Sequence, residues 1–299
     1  MKLVFLGTSA AQPTERRGLS CICLENNGEI LMFDAGEASQ ISYMKSGLGW
    51  NKKMKLFVTH LHGDHCVGIL GLLQTMSMQK RTESLEIFGP KGIDEFLAAN
   101  IKVLNFGLSF SILITIVKEG KIFEDKKFSM YAAKASHSIT AFSYLFEEKD
   151  KPGKFNVEKA KELGIPEGKL WNKLQNGEEI INNKEIIKPV QVLGKKRPGK
   201  KIGISGDTMP TKELEEFFKE CDYLVFDSTF LDEEKQKAQD TCHSTAKQAA
   251  QLGKNSNVKN LILTHFSARY KDEIGHLTEA EKIHNSVVTA KDFLEIEIK

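Results

Sequence analysis

Three histidines and an aspartate fall within six positions of the segment T-H-L-H-G-D-H-C-V-G, residues 59–68. Imidazole and carboxylate bind zinc and its first-row neighbours, and they move protons near neutral pH. His60 and His62, two apart on an extended turn, can present both rings from one side. Asp64 and His65, after the flexible Gly63, can face a second position. A single tetrahedral structural zinc would take four ligands and leave no open coordination position. More donors occur downstream: His137 in A-S-H-S, Asp207 in S-G-D-T and His265 in L-T-H-F-S. Seven donors suggest two ions roughly 3.5–4 Å apart with a bridging carboxylate, a pair that clamps the attacking and leaving oxygens of a hydrolytic displacement.

These residues need elements to hold them. Short apolar runs recur, each ending in a polar turn: residues 3–6 before G-T-S-A, 30–33 before D-A-G-E, and 56–58 before T-H-L-H-G-D-H. Later come 202–204 before S-G-D-T, 224–226 before D-S-T and 261–263 before T-H-F-S. Runs this short, rich in Val, Ile, Leu and Phe, read as buried strands. Helical patterns follow over 67–79, 211–220 and 244–252, the last with Ser244 as N-cap. Strands alternating with helices predict an α/β sandwich. Nearly every chemically able residue then lies just past the C-terminal end of a strand, where ligands of such sheets bind.

Composition is that of a globular protein, and a net charge of +2 forces no nucleic-acid partner, so any such partner must be argued from local charge. Five scattered cysteines, an odd number, imply no disulfide framework. Cys21 and Cys23 read as small core hydrophobes on one face of a strand. No signal peptide is visible, and the longest apolar stretch, 106–117, is too short for a membrane span, so a reducing cytoplasm is the expected location. From 147 to 201 the chain turns Lys- and Glu-rich, with P-G, I-P-E-G, Q-N-G and R-P-G punctuation. It reads as an inserted arm of short, weakly amphipathic helices, with a plain linker as the alternative. His276 and His284 match no motif and read as solvated histidines in a polar, helix-like tail.

H-L-H-G-D-H resembles the H-x-H-x-D-H signature of the metallo-β-lactamase superfamily, which by itself leaves lactamases, glyoxalases, lactonases and nucleases open. The ordered set G-T-S-A-A-Q-P-T-E-R-R-G at 7–18, F-D-A-G-E at 33–37, G-D-T-M-P at 206–210, D-S-T-F at 227–230, H-S-T at 243–245 and L-T-H-F-S-A-R-Y at 263–270 is similar, essentially end to end, to short-form ribonuclease Z. That resemblance implies an αββα four-layer sandwich over 1–299, with a flexible tRNA-gripping arm inserted at about 148–195. It implies two Zn²⁺ per subunit: His60, His62 and His137 on one, Asp64, His65 and His265 on the other, Asp207 bridging. It further implies Asp64 as general base, and His243, beside Asp227, contacting phosphate and protonating the leaving oxygen. By residue type alone His243 reads equally as a surface histidine.

The activity implied is endonucleolytic removal of the 3′ trailer of precursor tRNA, leaving a 3′-hydroxyl, by a cytoplasmic homodimer that is not membrane-bound. Other readings are a small-substrate phosphodiesterase or hydrolase of the same superfamily, and a non-catalytic RNA-binding relative, which the intact donor set disfavours. Ser267, Arg269 and the loop of Thr8, Arg16 and Arg17 are expected at the cleft mouth. Lys195, Lys196 and Arg197 are expected to hold RNA backbone, because tRNA binding is mostly electrostatics and shape. Four residues depart from the family pattern. Phe226-Asp227 stands where His-Glu is common, Gly18 where Asn is frequent, and Lys169 where the arm tip often has a second proline.

Overall fold

Strands covered on both faces read as unbroken apolar runs, and the strand Glu29–Phe33 is buried at all five positions. The computed structural model describes residues 1–183 and 185–298. Two seven-stranded sheets form the frame. The first runs, edge to edge, Glu295–Glu297, Lys2–Gly7, Cys21–Asn26, Glu29–Phe33, Lys53–Phe57, Leu85–Gly89 and Ile112–Ile116. Its last four strands are parallel and the others antiparallel. The second runs Val287–Thr289, Asn260–Thr264, Tyr223–Asp227, Lys201–Ile204, Phe142–Glu148, Phe128–Lys134 and Gly120–Glu124, with its first four strands parallel.

Alternation along each strand builds the layers. In Lys53–Phe57, Met54 and Leu56 pack in one core with Tyr43, Ile69, Leu72, Leu73 and Met76 from helices Ser39–Ser46 and Gly68–Met78. The opposite face carries Phe57, whose ring lies 5.4 Å from Phe33, 4.8 Å from Phe88 and 5.5 Å from Tyr144 of the second sheet. Tyr144 Oη also crosses between the sheets, donating to Val58 O at 2.6 Å. Behind the second sheet, Leu224, Phe226, Leu261 and Leu263 pack with Leu214, Ala246, Ala249, Ala250 and Ala280 of its helices. The result is the helix–sheet–sheet–helix sandwich of the metallo-β-lactamase fold. Lys55 is the charged exception. It is buried between Glu29 at 2.7 Å and Glu86 at 2.9 Å, and its ammonium sits 4.5 Å from the Phe123 ring.

Local rules set the helix starts. The helical pattern at 67–79 is interrupted: Gly63–Cys66 forms one turn and Gly68–Met78 the main helix. A Cβ on Gly68 would stand 1.8 Å from Gly36 O, so only glycine lets this turn approach the D-A-G-E loop. Thr211 Oγ1 accepts from Leu214 N to cap Lys212–Phe217. The cap of Ala246–Asn255 is Thr245 rather than Ser244. Thr245 and Gln248 form a reciprocal capping box, whereas Ser244 Oγ donates to Thr208 O at 2.6 Å.

Residues 124–129 and 147–200 form a second compact unit, distinct from the sandwich. It is more ordered than a run of weakly amphipathic pieces. Helices Val157–Glu162 and Lys169–Gln175 and the paired strands Ile180–Asn182 and Glu185–Ile187 enclose Ala160, Ile165, Leu174, Ile180, Ile187 and Val192. Phe155 and Trp171 pack against that core. At the neck, Lys151 and Arg197 exchange backbone hydrogen bonds, and Glu148 N donates to Lys200 O at 2.9 Å.

His276 and His284 are buried, contrary to the expectation of solvated side chains. Helix Ile274–Glu281 packs against Ala246–Asn255, and one face of an otherwise polar segment turns inward. His284 Nε2 donates to Val258 O at 2.9 Å, while His276 lies edge-on between the rings of Phe266 and Tyr270. Burial, with the Arg17 charge nearby, lowers the His276 pKa to about 4. The unfolded chain therefore binds this proton more tightly. The contribution of neutral His276 is fully present above pH ~6.5 and is lost as pH falls towards ~4, up to about 3 kcal/mol. In chelator-treated protein, thermal melts of His276→Phe should lose part of the wild-type fall in stability between those pH values. An unchanged pH slope would reject the assignment.

Candidate metal centre

All seven expected donors converge at one end of the sandwich, most of them just beyond strand ends. His60 and His62 follow Lys53–Phe57, Asp207 follows Lys201–Ile204, and His265 follows Asn260–Thr264. Asp64 and His65 lie in the Gly63–Cys66 turn, and His137 in the link between Phe128–Lys134 and Phe142–Glu148. They form two groups, each able to hold an ion: His60, His62 and His137, then Asp64, His65, Asp207 and His265. In the first, His62 Nδ1 lies 3.1 Å from both His60 Nε2 and His137 Nε2. In the second, His65 Nε2 is 3.3 Å from His265 Nε2, 3.4 Å from Asp64 Oδ2 and 3.2 Å from Asp207 Oδ2. Asp207 Oδ2 is also 3.6 Å from His60 Nε2, so this carboxylate borders both groups.

The outward hydrogen bonds decide which ring nitrogens carry protons. His137 Nδ1 faces Cys242 O at 3.0 Å, and a carbonyl can only accept, so His137 Nε2 is a bare lone pair. Thr59 Oγ1 donates to Asp34 Oδ2 at 2.8 Å and therefore accepts from His60 Nδ1 at 2.9 Å. His65 Nδ1 donates to the same Asp34 oxygen at 2.7 Å. Burial lowers the pKa of both His60 and His137, so their Nε2 atoms are turned inward unprotonated, while Nε2 of His65 faces Asp64 and Asp207. Lone pairs held this closely repel one another unless a cation lies between them, and the donor set suits Zn²⁺.

Electrostatics point the same way. Burial and the neighbouring His65 push His60 down to about 2, which keeps it neutral as a ligand must be. Burial would raise Asp64, but the neighbouring His265 and His65 hold it below the usual carboxylate range. Burial likewise opposes ionisation of Asp207, and the neighbouring His265 and His65 override it. Asp34 had no role assigned from the sequence. The F-D-A-G-E motif was its signal, and its outward support of two donors is a tertiary relationship. Ala11 N also contributes, donating to Asp64 Oδ2 at 2.8 Å from a left-handed backbone with φ 59°.

Beside the second group stands the His243–Asp227 pair. Asp227 reaches His243 despite being a methylene shorter than Glu: Oδ2 lies 2.8 Å from Nδ1. Burial disfavours a charged His243, but the Asp227 charge and hydrogen bond prevail and raise its pKa to about 9. A charged imidazole here suits contact with a phosphate and donation of a proton. Phe226 points the other way, fully buried near Phe218 in the helix-side core, so it has no part in this pair. Gly18 N donates to Asp292 Oδ2 at 2.7 Å, a backbone contact that any non-proline residue could make.

The expected substrate contacts fare unevenly. Arg17 does not project into a cleft. It is 5% exposed, and its guanidinium binds Glu273 at 2.8 Å and Tyr270 O at 2.6 Å, tying the 14–17 loop to the 267–273 segment. Thr8 is buried too, with Oγ1 donating to Asp292 Oδ1 at 2.8 Å. Arg16 is exposed and Ser267 half-buried. Arg269 pairs with Glu234 at 2.6 Å, with its guanidinium 5.2 Å from the Phe230 ring. Lys195, Lys196 and Arg197 are exposed in the second unit, where Arg197 Nε donates to Pro152 O at 3.1 Å.

Residues 1–148 match the family model of the anti-Pycsar protein Apyc1, and residues 191–266 match that of the beta-lactamase superfamily domain. A ribonuclease Z of Nitrosopumilus maritimus is 83% identical over 299 residues, covering 100% of both chains. One from Methanosarcina mazei is 39% identical, covering 100% of this chain and 98% of its own. The crystal structure of human tRNase Z, short form, superposes with a TM-score of 0.73 at 28% identity over 100% of both chains. The metallo-beta-lactamase fold protein YhfI from Bacillus subtilis, at 15% identity and TM-score 0.70 over 99% and 98% of the two chains, shares the fold. With full-length identity at this level, the chain belongs to the ribonuclease Z family.

Proposed function

We propose that this protein is a zinc-dependent endoribonuclease that removes the 3′ trailer of precursor tRNA, leaving a 3′-hydroxyl. The observation that carries the reading is the pair of adjoining donor groups bordered by Asp207, with His243 alongside. Two zinc ions held by His60, His62 and His137, and by Asp64, His65 and His265, with Asp207 between, would supply positive charge for the phosphoryl oxygens and make the attacking water more acidic. The residues divide the remaining work. Asp64 accepts the proton of the water. His243, held by Asp227, contacts the phosphate and gives its Nε2 proton to the leaving ribose oxygen.

The inserted unit at about 148–195 is read as a tRNA-gripping arm. It separates His137 from Asp207 in sequence and contributes no donor to either group, and Lys195, Lys196 and Arg197 are exposed at its C-terminal end and just beyond. A second copy of the chain is the proposed partner. Helix Ser39–Ser46 exposes Ile41 and Met44, and Val67 and Met78 are exposed at the ends of its neighbour Gly68–Met78. Among the described residues no helix is long and apolar enough to cross a membrane. All five thiols are free, which fits a reducing cytoplasm.

Three outcomes test this reading. Asp64→Ala in zinc-loaded protein should slow cleavage of precursor tRNA and of a nitrophenyl phosphodiester alike. His243→Ala should cost roughly 10²–10⁴-fold on RNA and far less on nitrophenolate, which needs little protonation to leave. Equal losses on both substrates would point to phosphate binding instead. Next, the neck brings residues 148 and 200 together, so a short Gly/Ser link can replace 150–198. That variant should keep its zinc and small-substrate turnover but lose precursor tRNA cleavage through weakened binding. Neutralising Lys195, Lys196 and Arg197 should flatten the log–log salt dependence of tRNA affinity by roughly 0.7–0.9 per lost contact. An arm-deleted protein that binds and cuts precursor tRNA normally would make the unit a mere insertion. Finally, sedimentation should give twice the 33.5 kDa chain mass, reduced to one chain by Met44→Glu; a wild-type monomer would refute the dimer.

A further inference from the structure

Thr229 is a small buried side chain at a crowded junction. Its Oγ1 lies 2.6 Å from Asp227 Oδ1, 3.0 Å from His265 Nδ1 and 3.3 Å from His243 Nδ1. Its backbone N–H also donates to Asp227 Oδ1, at 2.9 Å. A hydroxyl has one proton to give, and the carboxylate can only accept, so Thr229 donates to Asp227. Its remaining lone pairs accept, and the closer ring is His265. His243 Nδ1, 2.8 Å from Asp227 Oδ2, sends its proton to that carboxylate instead.

The same wiring occurs once more in the molecule. Thr59 Oγ1 donates to Asp34 and accepts from His60 Nδ1, while His65 Nδ1 donates directly to Asp34. Each module is a threonine–aspartate pair that holds two histidines, one through the hydroxyl and one through the carboxylate. In the first module both rings belong to the donor groups. In the second, one ring is the donor His265 and the other is His243.

We propose that Thr229 is a positioning residue, whose hydroxyl fixes His265 with its proton on Nδ1 and Nε2 turned to the second donor group, and which joins that ligand to the carboxylate holding His243. Without the hydroxyl, His265 Nδ1 loses its acceptor and the ring is free to change tautomer or turn. Asp227 simultaneously loses one of its donors. The effect belongs to the group of Asp64, His65 and His265. His60 is held by Thr59, His137 by Cys242 O, and His62 lies against those two rings, so this group does not depend on Thr229. The inference rests on the two-ion reading above.

Zinc affinity, measured by competition with a chelating dye on the full-length protein, separates the two. Wild type should bind two ions. Thr229→Val, nearly isosteric but without a hydroxyl, should bind one ion as wild type does and the other about 10–100-fold more weakly, the usual cost of removing a group that orients a ligand. Thr229→Ser should restore the second ion to near the wild-type value. Unchanged binding of both ions by Thr229→Val, or equal weakening of both, would overturn the proposal while leaving the two-ion centre intact. A wild-type protein that binds fewer than two ions would defeat the two-ion reading, and this inference with it. Histidine-ring ¹⁵N NMR of zinc-loaded wild type gives an answer that needs no variant. His265 must show a proton on Nδ1, and a bare or metal-bound Nδ1 would exclude the role even if Thr229→Val failed to fold.

Discussion

Three imidazoles in one donor group, and two imidazoles with two carboxylates in the other, crowd their ligand atoms within 4.8 Å of one another, and the rest of the molecule has to hold them there. Unaided, such a cluster would spread apart or take up protons. Outward hydrogen bonds prevent the first. Asp34, Thr59 and Cys242 O hold His60, His65 and His137 by Nδ1, leaving each Nε2 directed inward. The two sheets resist the remaining strain because Phe33, Phe57, Phe88 and Tyr144 interlock between them. Tyr144 is bonded to Val58 O, two residues before His60. Core packing and ligand geometry are therefore one mechanical unit.

That arrangement separates two kinds of charge. Donors such as His60 are held neutral by burial and by neighbouring imidazoles, as a metal ligand requires. His243 lies a few ångströms away and is pushed in the opposite direction by Asp227. Two histidines with opposite shifts in one cavity are suited to different tasks, one to bind an ion and one to deliver a proton. At His60 burial and the neighbouring imidazoles prevail, whereas at His243 the Asp227 carboxylate on Nδ1 outweighs burial.

The second compact unit follows a different principle. It has its own small core around Leu174 and Ile187, and its segment 147–200 is closed by paired backbone at residues 148–151 and 197–200. None of the seven donors comes from it. Its basic residues, unlike the ligands, are exposed and carry no demanding geometry, which suits recognition of a phosphate backbone.

Much of this was legible in the chain itself. The apolar runs marked six of the fourteen strands of the two sheets, and the polar turns after three of them held every donor but His137, because buried strands and their C-terminal turns are local features. Ordered motifs along the whole chain identified the family. Tertiary structure alone decided the rest. His276 and His284 lie in a polar segment, yet helix packing buries both. Arg17 looked like a free cation until Glu273, far away in sequence, claimed it. Thr229 and Thr59 carry no signal of their own as residue types. Each matters because a strand distant in sequence completes its surroundings, Asp34 reaching Thr59 beside His60 and His265 reaching Thr229 beside Asp227, and a single-proton group placed in that way has only one hydrogen-bond direction left.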